Sequence, residues 1–301
     1  MNYFGEFAAL LTAVFWTVTS MSFESAGKRV GSLAVNLIRL WIALIIYAIY
    51  LQVTRGMFLP LDAGAERWIW LGLSGLVGFV IGDLLLFQAF VVVGARISML
   101  IMAFAPPITA IISWLVLGEV LTAMNWLGMA ITIFGISLVI LKRQKSNGST
   151  RLPLLTSAYS IRGILLAFGG AIGQGAGLVL SKKGMGSYDA FASSQIRVLS
   201  GIVGFSLIFL IMNRWKRVGQ ALRNRPAMKR IALGSVFGPF LGVSFSLLAV
   251  QHTQAGIAAT IMAIVPVLII PPAIIFFKEK PNWKEITGAI IAVGGVALFF
   301  L

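Results

Sequence analysis

Chemistry needs side chains that ionise, attack or ligate, and this chain holds few of them. In 301 residues there are nine carboxylates, one histidine (His252) and no cysteine. Without cysteine there is no disulfide framework, thiolate nucleophile or Cys-metal site. One histidine and scattered carboxylates do not make a metal cage, so no metal and no cofactor are expected. What remains is a small set of charges set within long apolar sequence. Asp83, in GFVIGDLLLFQAF, lies more than two helical turns from either end of its apolar run. Arg39 and Arg197 each stand about 10 Å inside theirs by helical rise. An ionisable side chain at such depth in an apolar medium is costly unless it faces a cavity or a partner. Asp83 is therefore the first candidate for ligand contact or charge coupling. A protonated Asp83 hydrogen-bonded to a neighbouring helix is the alternative. The two arginines would attract an anionic solute group or pair with carboxylates at a cavity mouth; snorkelling to the interface is their alternative. Glu24 could pair with Arg39.

The elements that must position these groups are set by composition. Hydrophobic residues make up 59% of the chain and charged residues 11%, against about 25% charged in soluble proteins. Mean hydropathy is +0.96. Apolar runs of about twenty residues, each long enough to cross a bilayer, recur from end to end. Breaks at charges, Pro and Gly clusters predict ten spans: 4–24, 32–53, 68–91, 97–117, 124–141, 162–181, 191–212, 231–250, 256–277 and 286–301. The fold class is an all-α polytopic membrane protein, expected in a bacterial inner membrane. The net charge of +15 does not imply nucleic acid, because the basic residues sit in short connections between apolar runs and meet lipid headgroups. No cleavable signal peptide is expected, since the first ten residues carry Glu6 and no Lys or Arg.

The chain repeats itself. Shifted by 160 residues, Gly78, Gly82, Met102, Pro106, Glu119, Gly128 and Gly135 fall on Gly238, Gly242, Met262, Pro266, Glu279, Gly288 and Gly295. Earlier in each half the shift is 158, which lays Ile38-Arg39 on Ile196-Arg197. A five-span unit is thus duplicated: 1–141 and 162–301, joined by a basic loop at 142–161. Five is odd, so the second copy enters the membrane upside down. Inverted repeats of this kind are the architecture of alternating-access transporters. The partner of Asp83 in this alignment is Val243, so the repeat does not demand an acid there.

Each half also carries a span with a mid-helix Pro, an acidic residue thirteen positions later and a Gly-bearing fifth span: APPITAIISWLVLGE and VPVLIIPPAIIFFKE. This pattern resembles the drug/metabolite transporter superfamily, specifically its ten-span EamA-type exporters, over essentially the whole chain. Lys278 departs from it, standing where Gly118 stands in the first copy. The resemblance implies cavity-lining roles for spans 1, 6 and 8, hence for Trp16, Gln174, Ser244 and Ser246. Met102 and Met262, equivalent by repeat, would give an adaptable apolar wall or pack in the core.

Small residues at a spacing of four let helices approach closely in lipid. Gly78 with Gly82 and Gly238 with Gly242 predict that spans 3 and 8 pack tightly about the pseudo-two-fold axis. Gly128 with Gly135 and Gly288 with Gly295, spaced by seven, resemble the helix-association motif of related small transporters, and the resemblance implies a seam that joins the halves through spans 5 and 10. Span 6 carries Gly169, Gly173 and Gly177 where span 1 has bulkier residues, which marks it as a moving gate. Pro106 and Pro266 predict kinks that serve packing or gating.

Orientation is contested. Connections after the odd-numbered spans hold 18 of the 24 Lys and Arg, which places both termini outside; the resemblance implies both inside. The expected function is secondary transport of a small organic metabolite, amino acid or drug-like solute, as an exporter, with a coupling proton or counter-solute. Exchange or uptake of an anionic, for example phosphorylated, solute is a second reading. A non-transporting receptor or scaffold is a third, disfavoured by the lack of any large stretch outside the spans. An enzyme is not expected, because only Asp83 is deep enough to serve a buried site.

Overall fold

The computed structural model describes residues 3–93, 98, 101–143, 160–268, 270–271 and 283–300. Most of the 142–161 loop, Lys278 and Glu279 lie outside the described residues. Among the described residues, six helices are long and apolar enough to cross a membrane: α1 (Phe4–Val30), α2 (Ser32–Arg55), α3 (65–92), α6 (Ile161–Met185), α7 (Ala190–Ile211) and α8 (225–252). Four shorter apolar helices accompany them: α4 (Ala105–Leu117), α5 (Ala123–Arg143), α9 (Ala255–Met262, resuming at Val265–Leu268) and α10 (Trp283–Ala297). Large apolar side chains such as Val53, Ile69, Leu115, Leu165, Ile211 and Ile290 point outward and exposed. That surface suits hydrocarbon and not water.

Two boundaries move for local reasons. α1 runs on to Val30, past the predicted end at 24, and stops only where Gly31 adopts φ +85°, a conformation L side chains avoid. The 213–230 connection is mostly helical: Trp215–Arg223 forms a short helix that buries Ala221, and α8 already begins at Arg225. Pro106 and Pro266 occupy the second position of the segments starting at Ala105 and Val265. The missing N–H is harmless in a first turn. The preceding turn, however, breaks the helix just after Met102 and again just after Met262.

The two halves interlock. A Cβ added at Gly173 would stand 2.6 Å from Gly82 Cα, and one at Gly177 would stand 2.8 Å from Gly78 Cα, so α6 packs backbone-to-backbone on α3. In the equivalent pair, Gly238 meets Thr19 and Gly242 meets Trp16, which packs α8 on α1. Spans 3 and 8 therefore use their glycines against the opposite half's first helix, and not against each other as predicted. Residue spacing alone carries no information on which helix fills the groove. On α5, Gly128 lies against Gly295 of α10 and Gly135 against Gly288. The pairs cross over in order, so these repeat-equivalent helices run antiparallel, which is the geometric statement of inversion.

α3 and α8 share a further feature: each widens into a π-helical stretch, Leu76–Gly82 and Val236–Gly242. In α8, Pro239 lacks the N–H for a regular α bond. Tyr47 of α2 braces the same stretch, its hydroxyl lying 2.7 Å from the Pro239 carbonyl, 3.1 Å from the Phe240 carbonyl and 2.7 Å from Ser244 Oγ. In α3 the stretch ends directly at Asp83. A π-turn offsets the residues after it relative to a regular helix and often sits at a functional position.

Candidate substrate site

A cavity of about 1100 Å³ runs into the bundle from the end that carries the α1–α2 and α7–α8 connections. Lys28, Arg214 and Arg217 line its mouth, and Met102, Met262 and Pro266 line it deeper in. The π-turn of α3 brings Asp83 to its wall. Asp83 is 6% exposed and forms an ion pair with Arg39 of α2, itself 7% exposed. Gln174 of α6 donates its amide to the other Asp83 oxygen at 2.5 Å. The rings of Phe23 and Phe87 flank the Arg39 guanidinium, each with its centroid at 5.4 Å. Arg39 is thus not an interfacial anchor, and its ion-pair partner among the described side chains is Asp83. One charged pair and one amide, drawn from three helices, share a single node.

Arg197 of α7 is equally buried, 5% exposed, and borders the same cavity. Among the described residues no carboxylate pairs with it; the Phe79 ring lies 4.9 Å from its guanidinium carbon. Trp16, Ser246, Met102 and Met262 line the cavity as well. Ser246 donates to the Val243 carbonyl at 2.7 Å. Ser244 is not on the cavity wall, because Tyr47 holds it in the α2–α8 contact. Of the α6 glycines, Gly173 and Gly177 are packed against α3 and Gly169 against Leu85. Asn36, one turn before Arg39, lines the cavity with both amide atoms unpartnered. Sequence reasoning missed it, although an amide three residues from a buried arginine shares that arginine's helix face.

The opposite end of the bundle is tied shut by polar links, four of them between halves. Lys182 of α6 pairs with Glu119 and donates to the Thr253 carbonyl at 2.6 Å. Ser113 donates to Glu119 at 2.5 Å, and the Ala255 N–H does so at 2.9 Å. Beside them, Thr253 donates to Glu6 (2.7 Å), and Arg55 reaches both Asp62 (2.5 Å) and Tyr188 (3.0 Å). Glu119 entered the sequence reading only as part of a repeated motif. Its partner, 63 positions away on another helix, left no local signal.

Glu119 lies beyond the end of α4. Burial pushes its carboxyl group's pKa up, but the Lys182 ammonium, the Ser113 hydroxyl and the Ala255 N–H outweigh that effect. It titrates below the ordinary carboxylate range. A depressed folded-state pKa means the stabilisation is present above the unfolded value, about 4.3, and is lost as pH falls through the lowered one. Melting curves of detergent-solubilised protein from pH 7 down to pH 3 should therefore show an acid loss of stability that Glu119→Gln lacks. Equal acid slopes in the two proteins would mean that this network contributes nothing.

The EamA-like transporter family model matches residues 3–141 and 161–301, one copy on each half. Solute carrier family 35 member G1 of Homo sapiens is 25% identical over 233 residues, covering 75% of this chain and 60% of that protein. The uncharacterized transporter YvbV of Bacillus subtilis (strain 168) is 24% identical over 199 residues, covering 66% of this chain and 60% of that protein. The match thus spans about three fifths of the length of each curated relative. A solved crystal structure superimposes with a TM-score of 0.72 at 16% identity, covering 98% of this chain and 95% of its own, which speaks for the fold. With both interlocked halves matched by one family model, the chain belongs to the EamA-like transporter family of the drug/metabolite transporter superfamily.

Proposed function

We propose that the protein is a secondary transporter that exports a small organic solute across a bacterial inner membrane by alternating access. In this reading all ten helices cross the bilayer, in two inverted sets of five. The observation that carries it is the one-sided cavity: about 1100 Å³, ending at the Arg39–Asp83–Gln174 node, with the far end closed by Glu119, Lys182 and their neighbours. The cavity mouth lies on the side of the odd-numbered connections, where the cationic residues collect. The charge rule makes that side cytoplasmic, so the cavity loads from inside, as export requires. Swapping the conformations of the two halves would open the far end. α6, held to α3 by Gly173 and Gly177, is the proposed moving element. Asp83 is the proposed coupling group: a proton or solute that engages its carboxylate would release Arg39 and Gln174 together.

The test uses the absence of native cysteine. Single cysteines at Ser32, by the cavity mouth, and Ser187, at the closed end, are labelled in intact cells with an impermeant maleimide. Labelling of Ser187→Cys alone agrees with the cytoplasmic mouth; labelling of Ser32→Cys alone reverses the direction. Purified protein is then screened by thermal shift against amino acids, nucleosides, sugar phosphates and cationic dyes. Hits are followed as exchange in proteoliposomes. A ligand bound but never exchanged would sink the transporter reading.

A further inference from the structure

The inversion supplies an internal comparison for each buried charge. Arg39 and Arg197 are equivalent by repeat, yet only Arg39 has a carboxylate, because Asp83 on α3 is matched by Val243 on α8. Gln174, the second partner of Asp83, is matched by Trp16, and Ser74 and Ser181, hydrogen-bonded to one another at 2.6 Å, are matched by Gly234 and Phe23. The α3–α6 contact is thus polar and its equivalent α8–α1 contact is apolar. Asp83 is ion-paired with Arg39 and acts on Arg197 only through space, so the three buried groups leave one positive charge in excess. The Arg197 charge has neither ion-pair nor hydrogen-bond partner among the described residues, and its buried Nε is unpartnered. A guanidinium cannot shed its proton to escape burial, so a charge kept here with no counter-ion among the described residues favours an anion from the cavity.

We propose that Arg197 docks the carboxylate of an amphipathic organic monoanion, which takes toward Arg197 the role that Asp83 plays for Arg39. This rests on the transporter reading above and names the solute class for it. Inside the ring of Lys28, Arg214 and Arg217 at the mouth, one excess positive charge at the depth of Arg197 calls for a single negative one. Carboxylate geometry matches the guanidinium fork. The apolar body of the solute lies on Trp16, Phe79, Met102 and Met262, whose rings and thioethers adapt to varied shapes. Arg39, already paired, does not compete for the anion.

The test uses three probes with one body and three charges: N-acetylphenylalanine (anion), N-acetylphenylalaninamide (neutral) and phenylalaninamide (cation). Each is measured for binding in detergent and for exchange in proteoliposomes. The anion alone is expected to bind and exchange. Val243→Asp places a carboxylate on the cavity wall at the repeat equivalent of Asp83 and should weaken anion binding by ~30-fold or more, the scale of losing a buried charge pair. Val243→Asn, similar in shape and uncharged, should keep it. Arg197→Gln should lose it, and serves as the second variant should Val243→Asp fold poorly. Binding of the neutral or cationic probe in place of the anion, or no preference among the three, overturns the carboxylate site and leaves the transporter reading standing. So does anion binding that survives both Val243→Asp and Arg197→Gln. Anion binding without exchange, lost in both variants, supports the site and overturns the transporter reading.

Discussion

Asp83→Leu is expected to destabilise the protein more than any other single substitution at the cavity. It strands the Arg39 guanidinium between Phe23 and Phe87 and leaves the Gln174 amide without its acceptor. Removing one partner of a buried pair costs about 3–5 kcal/mol, because the survivor is a desolvated charge. Arg39→Leu should cost less, since an orphaned carboxylate can take up a proton whereas a guanidinium cannot lose one. The double variant Arg39→Leu/Asp83→Leu should be more stable than Asp83→Leu alone, with a coupling on the order of 1–3 kcal/mol. Melting temperatures of the four proteins in one detergent give the cycle. Additive losses would mean that the pair is an accident of proximity. Transport should fail in all three variants if Asp83 is the coupling group, including the one whose fold is restored.

The second large effect concerns the seam between the halves. Gly135→Leu is expected to force α5 and α10 apart. Its Cβ alone would stand 2.7 Å from the Gly288 carbonyl oxygen and 2.8 Å from Ala292 Cα. Both are backbone atoms, so no rotamer change relieves the contact, and overpacking of a well-packed site costs about 1–3 kcal/mol before the rest of the side chain is placed. Association of helices in lipid depends on close packing and has no hydrophobic reserve to fall back on. Gly294 provides the control: one residue from the seam, with nothing within 4 Å of an added Cβ. Gly294→Leu should leave the melting temperature and the elution profile nearly unchanged. Equal damage at 135 and 294 would assign the effect to glycine's backbone freedom and not to the helix contact.

The class of this molecule is legible from the order of its residues. Hydropathy is a property of each segment read alone, so the apolar runs and the duplication of the chain are visible in one dimension. The mirrored glycines at 128, 135, 288 and 295 belong to the same category, since residues equivalent by repeat and lying near a two-fold axis have each other as neighbours. Asp83 was conspicuous because charge at that depth is costly wherever the helix sits. The tertiary structure decided the rest. That Asp83 meets Arg39 and Gln174, that Gly78 and Gly82 face α6 and not α8, that Ser244 serves Tyr47 and not the cavity, and that Glu119 finds Lys182 all depend on helix adjacency and on the rotation of each helix about its axis. Those are set by packing between segments far apart in the chain. The π-turn before Asp83 adds a local rotation that a regular 3.6-residue period does not contain. That Arg197 has no ion-pair partner among the described residues became legible only in the folded arrangement of the two halves.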